Sequence, residues 1–221
     1  MAKSDQAELA IVVSRAFALW DKFNHQRALD ILRTEKKRFP DYVKCLAQLI
    51  GEGKVTHYEK VWDLIHNAER RSEQGHYDDG VLRLYRAMEM LAQIRLREEY
   101  ALDTSDINLS KLPPEARQPF AWQKEKRRER ITAGFYDSYH LLVNLNDAIG
   151  PLYSTWERKI KGILERRNRS ILAHGENPVG KEMWETAHEV TTGFIDQAAT
   201  TLRIEADWPQ FPTWEEVMAK S

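Results

Sequence analysis

The chain has 221 residues, 42% of them apolar and 30% charged, with a formal net charge of −1. That balance fits a soluble globular protein with room for a substantial core, and it excludes a disordered or fibrous chain. A single cysteine, Cys45, excludes an internal disulfide framework and a multi-cysteine zinc site, and one unpaired thiol fits a reducing compartment. No apolar run approaches the ~18–20 residues that span a bilayer, and Met1-Ala2-Lys3-Ser4 opens no signal-peptide core, so a cytoplasmic protein without a membrane segment is expected.

Helical periodicity runs through almost the whole chain. Residues 6–22, 26–38 and 40–50 read as amphipathic helices broken near Asn24 and at Pro40, and a longer helix is expected over 56–73, closed by Ser72-Glu73-Gln74-Gly75. The strongest helix opens at Asp78 and Asp79, acids where the helix dipole favours them. Its stripe of Val81, Leu84, Tyr85, Met88, Leu91 and Ile94 recurs at three- and four-residue spacing, the pattern of a core-facing surface. Residues 102–116 are turn-rich and read as a loop. A basic segment then leads into a helix over 134–148 that ends at Gly150-Pro151; the next helix is expected over 153–173, stopped by Gly175 and Pro178, and the last long one over 181–204. A tail carrying Trp208 and Trp214 predicts a short docking helix at 213–219. The resulting division is a helical extension (1–54), a main helical domain (55–206) and a Trp-rich tail (207–221). No alternating segment is long enough for a strand. The fold class is therefore all-α, which excludes dinucleotide and P-loop sites built on a strand–glycine loop–helix unit.

The seven histidines (25, 57, 66, 76, 140, 174 and 188) form no H-x-x-x-H pair and no Cys/His cluster, so no metal and no cofactor are expected. His76-Tyr77-Asp78-Asp79 reads as a helix N-terminus rather than an ion site. The neutral total hides two basic stretches. From Glu115 to Ile131, Arg117, Lys124, Lys126, Arg127, Arg128 and Arg130 face three acids; from Pro151 to Gly175, Arg158, Lys159, Lys161, Arg166, Arg167 and Arg169 face two. Each is either a solvated helix face or a surface for a polyanion such as RNA, with Arg166, Lys124, Lys126, Arg127, Arg128 and Arg130 as candidate contacts.

The run Arg166-Arg167-Asn168-Arg169-Ser170-Ile171-Leu172-Ala173-His174-Gly175 carries the most chemistry. On a continuous helix Arg167 and His174, seven residues apart, return to within ~20° of one face, and Ser170 lies close to it. Arg169 sits roughly 140° from His174 and ranks below Arg167. Two readings stand. In one, the histidine and its following glycine merely close a helix. In the other, His174 is a general acid–base, Arg167 offsets charge on a phosphoryl group in the transition state, and Asn168 binds phosphate or holds the imidazole, with Arg169 and Ser170 as supporting groups. One such pair makes a sparse site, and a two-fold homodimer would supply a second set.

At these residues the chain resembles the HEPN superfamily, all-helical domains with an Arg-x(4–6)-His signature; Arg167-Asn168-x5-His174 matches at the long end, and Arg169-x4-His174 matches as an alternative frame. With Tyr77-Asp78-Asp79-Gly80 through Leu96 and Leu102-Asp103-Thr104-Ser105-Asp106, it is similar to the HEPN half of ancillary CARF–HEPN proteins of type III CRISPR systems over about 70–206, and more faintly over 15–50. The resemblance implies a HEPN-like bundle with extra N-terminal helices. It also implies a metal-independent endoribonuclease acting on single-stranded RNA at a composite dimer site, with Arg167, Asn168 and His174 catalytic, leaving a 2′,3′-cyclic phosphate and a 5′-hydroxyl in an antiviral role. Such proteins carry a sensor for cyclic oligoadenylate. This sequence contains no Rossmann-like sensor half, so the expected sensor is a separate or missing domain. Two non-catalytic alternatives remain: a tetratricopeptide-like binding module, echoed by Gly75-His76-Tyr77-Asp78-Asp79 and Phe23–Leu32 at an offset of about 52 rather than ~34 residues, and a HEPN-fold RNA-binding or toxin–antitoxin component.

Overall fold

The computed structural model describes residues 3–121, 123, 130–168, 178–205 and 208–219, and every described regular element is helical. They divide into two compact units, Met1–Lys60 with Asp207–Ser221, and Val61–Ala206. The expected division differs: the first boundary falls six residues beyond 54, and the tail joins the N-terminal helices rather than standing apart.

The first unit packs α1 (Lys3–Trp20), α2 (His25–Leu32), α3 (Pro40–Leu49) and the tail helix α10 (Trp214–Ala219). Apolar spacing on α1 buries Leu9, Val13, Phe17 and Trp20 against Leu29 and Leu46. The tail belongs to this core for a physical reason. Phe211 meets the Phe17 ring edge-on at 4.7 Å, Val217 is buried, and the Tyr42 hydroxyl donates to the Gln210 carbonyl at 3.2 Å. The helix expected over 26–38 ends earlier, at Leu32, and continues as a 3₁₀ turn over Arg33–Glu35. Cys45 is buried here.

The second unit holds α5 (Tyr77–Tyr100), α7 (Phe135–Asn144), α8 (Ile149–Asn168) and α9 (Lys181–Leu202) around one core, and α4 (Glu59–Glu73) joins it. α4 begins where the Glu59 carboxylate turns back to accept from the Thr56 amide at 2.6 Å and its hydroxyl at 2.9 Å. Farther along, Glu69 meets His188 Nε2 of α9 at 2.9 Å, and Arg83 of α5 donates to Asn67. Gly80 lets these helices close up, because a Cβ there would lie 2.7 Å from the Trp184 ring and 3.1 Å from the Ala68 carbonyl oxygen. α5 ends with Ala101 in the left-handed region (φ 50°) and Leu102 N–H returning to the Leu96 carbonyl.

The turn-rich segment expected as a loop over 102–116 contains a 3₁₀ turn at Leu109–Lys111 and the start of the short helix α6 (Pro114–Arg117), and a further 3₁₀ turn follows it at Gln118–Phe120. Pro114 occupies a first-turn position where no intrahelical N–H is needed, and Ile107, Leu112, Ala116 and Phe120 are buried. The same chemistry corrects the reading of Gly150-Pro151. The pair lies inside the first turn of α8 instead of ending the helix before it. Asp147 makes that start: its Oδ1 accepts from the Ile149 amide at 2.9 Å, and its Oδ2 accepts from Arg95 Nε at 2.8 Å and the Tyr100 hydroxyl at 2.9 Å. Burial, then this hydrogen bond, pushes the Tyr100 phenol up to about 12.

Tyr139 is the centre of the unit. It is fully buried, stacks on Tyr153 of α8 at 4.5 Å, meets Phe194 of α9 edge-on at 5.6 Å, and donates its hydroxyl to the Met88 carbonyl of α5 at 2.7 Å. Removing only that hydroxyl (Tyr139→Phe) should lower unfolding stability by about 1 kcal/mol in urea titrations, while Tyr139→Ala should lower it by about 3–5 kcal/mol; equal effects would refute the packing role. Asp147→Ala removes the acceptor of Tyr100, of the Ile149 amide and of Arg95 Nε, while Arg95 keeps Glu99 at 3.0 Å, and should lower stability by about 1.5–3 kcal/mol by the same measurement. A loss below about 1 kcal/mol would show that the Asp147 network does not hold α8 to α5.

Candidate active site

Arg167 and Asn168 lie in the last described turn of α8, carried there by twenty residues of helix that start at the Asp147 cap. Arg167 is half-buried, whereas Arg166 and Asn168 are exposed. The Arg167 guanidinium lies over the ring of Tyr85 of α5, 4.9 Å from its centroid. Its Nη1 donates to Asn168 Oδ1 at 3.0 Å, and its Nε is buried without an acceptor among the described residues. No carboxylate pairs with it among those residues. Arg166 differs, approaching Glu182 of α9 at 4.0 Å. The two adjacent arginines are thus unlike: one is solvated and partly neutralised, and the other is half-desolvated with no carboxylate beside it among the described residues.

Tyr85 belongs to a file of rings that begins in the core. It stacks on Phe135 at 5.3 Å (24° between planes), and Phe135 packs against Tyr139 at 5.0 Å. Burial, then the nearby Glu89 carboxylate, raises the Tyr85 phenol, with Arg167 opposing them; the ring therefore stays neutral near pH 7. Arg86, the next residue, is already engaged by Glu89 Oε2 at 2.6 Å and Gln93 Oε1 at 2.8 Å. Sequence periodicity placed Tyr85 only in the core-facing stripe. The signal for its contact with Arg167 was a half-polar ring within an otherwise aliphatic stripe, facing a residue 82 positions away that periodicity cannot assign.

The other basic residues divide. On α8, Lys161 pairs with Glu157 Oε1 at 2.8 Å, an oxygen shared with His140 Nε2 at 3.0 Å, and Lys159 lies over the Trp156 ring at 4.8 Å. The hydrogen bond from Lys161, followed by that from His140, holds the Glu157 carboxyl below its ordinary range. These cations match the solvated-face reading. Arg130 is exposed. Lys124, Lys126, Arg127 and Arg128 lie outside the described residues, as do Arg169, Ser170 and His174. The structure therefore brings Arg167 and Asn168 together, and the one-face relation of Arg167 to His174 rests on positions beyond those described. Among the described residues, no helix is long and apolar enough to cross a membrane, and no group of three His, Cys, Asp or Glu side chains could hold a metal ion.

Residues 51–197 match the family model of the Csm6 HEPN domain. The match spans about two thirds of the chain and takes in Tyr85, Arg167, Asn168 and His174. No match to the sequence was found among the curated proteins. On the strength of the match over residues 51–197, the chain belongs to the CRISPR-associated Csm6 HEPN domain family.

Proposed function

We propose that this protein is a HEPN endoribonuclease that cuts single-stranded RNA without a metal, by transesterification, at a site completed in a homodimer. The observation that carries this reading is the half-buried guanidinium of Arg167, held on Tyr85 at the end of α8 with no carboxylate partner among the described residues. A cation removed from water and left without a carboxylate is set to receive an anion, and a planar guanidinium matches two oxygens of a phosphate.

In the proposed reaction the ribose 2′-oxygen attacks the adjacent phosphorus and loses its proton. The bond from phosphorus to the 5′-oxygen breaks, and that oxygen gains a proton; the products are a 2′,3′-cyclic phosphate and a 5′-hydroxyl. His174 serves this proton traffic as a general acid–base. Arg167 stabilises the charge gathering on the non-bridging phosphoryl oxygens. Asn168 braces Arg167 through its Oδ1, a role added to the phosphate or imidazole contact expected from sequence. Arg169 and Ser170 are supporting groups, and Arg166 with the 124–130 basic run guides RNA by long-range attraction. In this reading residues 55–206 form the nuclease domain of an antiviral effector in the cytoplasm. Control by cyclic oligoadenylate then belongs to a sensor domain outside this sequence.

The purified protein should cleave single-stranded RNA with EDTA present and leave cyclic phosphate ends. His174→Ala should lower the cleavage rate by about 10²–10⁴-fold with an unchanged far-UV circular dichroism spectrum. Undiminished cleavage by that variant would remove the mechanism, and RNA binding without turnover by the wild type would favour a non-catalytic HEPN module.

A further inference from the structure

We infer that Tyr85 is a positioning residue of this site: its ring fixes the Arg167 guanidinium so that the arginine meets a phosphate as a preset cation rather than a mobile one. The inference rests on the nuclease reading for its purpose, but its geometry stands independently.

Three observations converge on it. The guanidinium is held on more than one side, by the ring at 4.9 Å and by Asn168 Oδ1 at 3.0 Å, while its Nε is buried without an acceptor among the described residues. An N–H hidden from water without a partner is costly unless the group is held there by other contacts. The ring itself cannot turn freely, because Phe135 stacks on it at 5.3 Å and is in turn anchored on the fully buried Tyr139. The phenol is kept neutral by burial and by Glu89, so the contact is that of a cation with a ring rather than an ion pair with a phenolate. An ion pair would neutralise the arginine. A ring orients it and leaves its charge for the ligand.

A flexible surface arginine gives up rotamer freedom when it binds, and that loss weakens affinity. Here the fold has already restricted the side chain. The ring's contribution does not require the Tyr85 hydroxyl, which has no hydrogen-bond partner among the described residues.

The test is a double-mutant cycle in a His174→Ala background, where the cleavage step is suppressed. Binding of a short fluorescein-labelled single-stranded RNA is read by anisotropy at low salt. Tyr85→Leu should weaken binding about tenfold, and Tyr85→Phe should restore it to within about twofold. With Arg167→Ala also present, Tyr85→Leu should have no further effect. An equal loss in both backgrounds would make Tyr85 a packing residue and overturn the inference. Should Tyr85→Leu fail to fold by circular dichroism, Tyr85→Met takes its place in the cycle.

A second readout is independent of RNA. The Arg167 Nε–H resonance should be ring-shifted and slow to exchange in wild type and Tyr85→Phe, and should lose both properties in Tyr85→Leu. If it keeps them in Tyr85→Leu, the inference fails whatever the protein does to RNA. If they are lost as expected but no RNA is bound or cut, the nuclease reading fails and the ring is shown to fix an arginine that serves another anion.

Discussion

A single buried tyrosine sets the register of the second unit. Tyr139 touches α5, α8 and α9 from its place on α7, through a carbonyl, a stacked ring and a ring edge. A phenol taken fully out of water must keep its hydrogen bond, and the Met88 carbonyl accepts it at 2.7 Å. That directional contact settles how α7 lies along α5, which apolar packing alone would leave free to slide. One turn earlier on each helix stand Phe135 and Tyr85, and they stack. The ring beneath Arg167 is therefore the next layer of the same core, carried outward by helix geometry.

The two charged groups that matter most are treated in opposite ways. Asp147 is fully buried and receives three donors, from Arg95, Tyr100 and the Ile149 amide. Arg167 is half-buried and receives no carboxylate among the described residues. A buried carboxylate left unpaired would destabilise the fold, so the helix start that depends on Asp147 is saturated. A half-buried guanidinium costs less, since its stem and plane pack well on an aromatic face. The fold carries that cost at the end of the helix that Asp147 begins.

Much of this was legible in the residues. Helical spacing located the long helices, and Val81, Leu84, Met88, Leu91 and Ile94 are all buried as their stripe implies. Gly150-Pro151 misled, because the same pair can end one helix or open the next, and only the Asp147 side chain decides. The tail's place was hidden because Phe211 and Val217 find partners on α1, some two hundred residues away in sequence. At the site, spacing singled out Arg167 by its distance from His174. The structure adds an independent distinction from Arg166, namely the ring below one and the acid near the other. Tyr85 escaped because periodicity reports that a residue faces inward, not which charged side chain closes over it.

The pairing of arginine with tyrosine also constrains how the site responds to pH. A guanidinium stays charged throughout the range in which the protein is folded. The Tyr85 phenol is raised by burial and by Glu89, so it neither ionises near neutrality nor neutralises its partner. In the proposed reaction the cation offered to the phosphate is thus constant, and its orientation is held by a contact that does not titrate. In a nuclease built this way, proton transfer is left to a group with a pKa near neutrality, and an imidazole is the side chain whose ordinary value lies there. Dividing the work between a fixed charge and a titrating base lets one be held rigidly by the core while the other exchanges protons with the substrate. That division gives a physical reason for an arginine, rather than a second histidine or a lysine, at position 167.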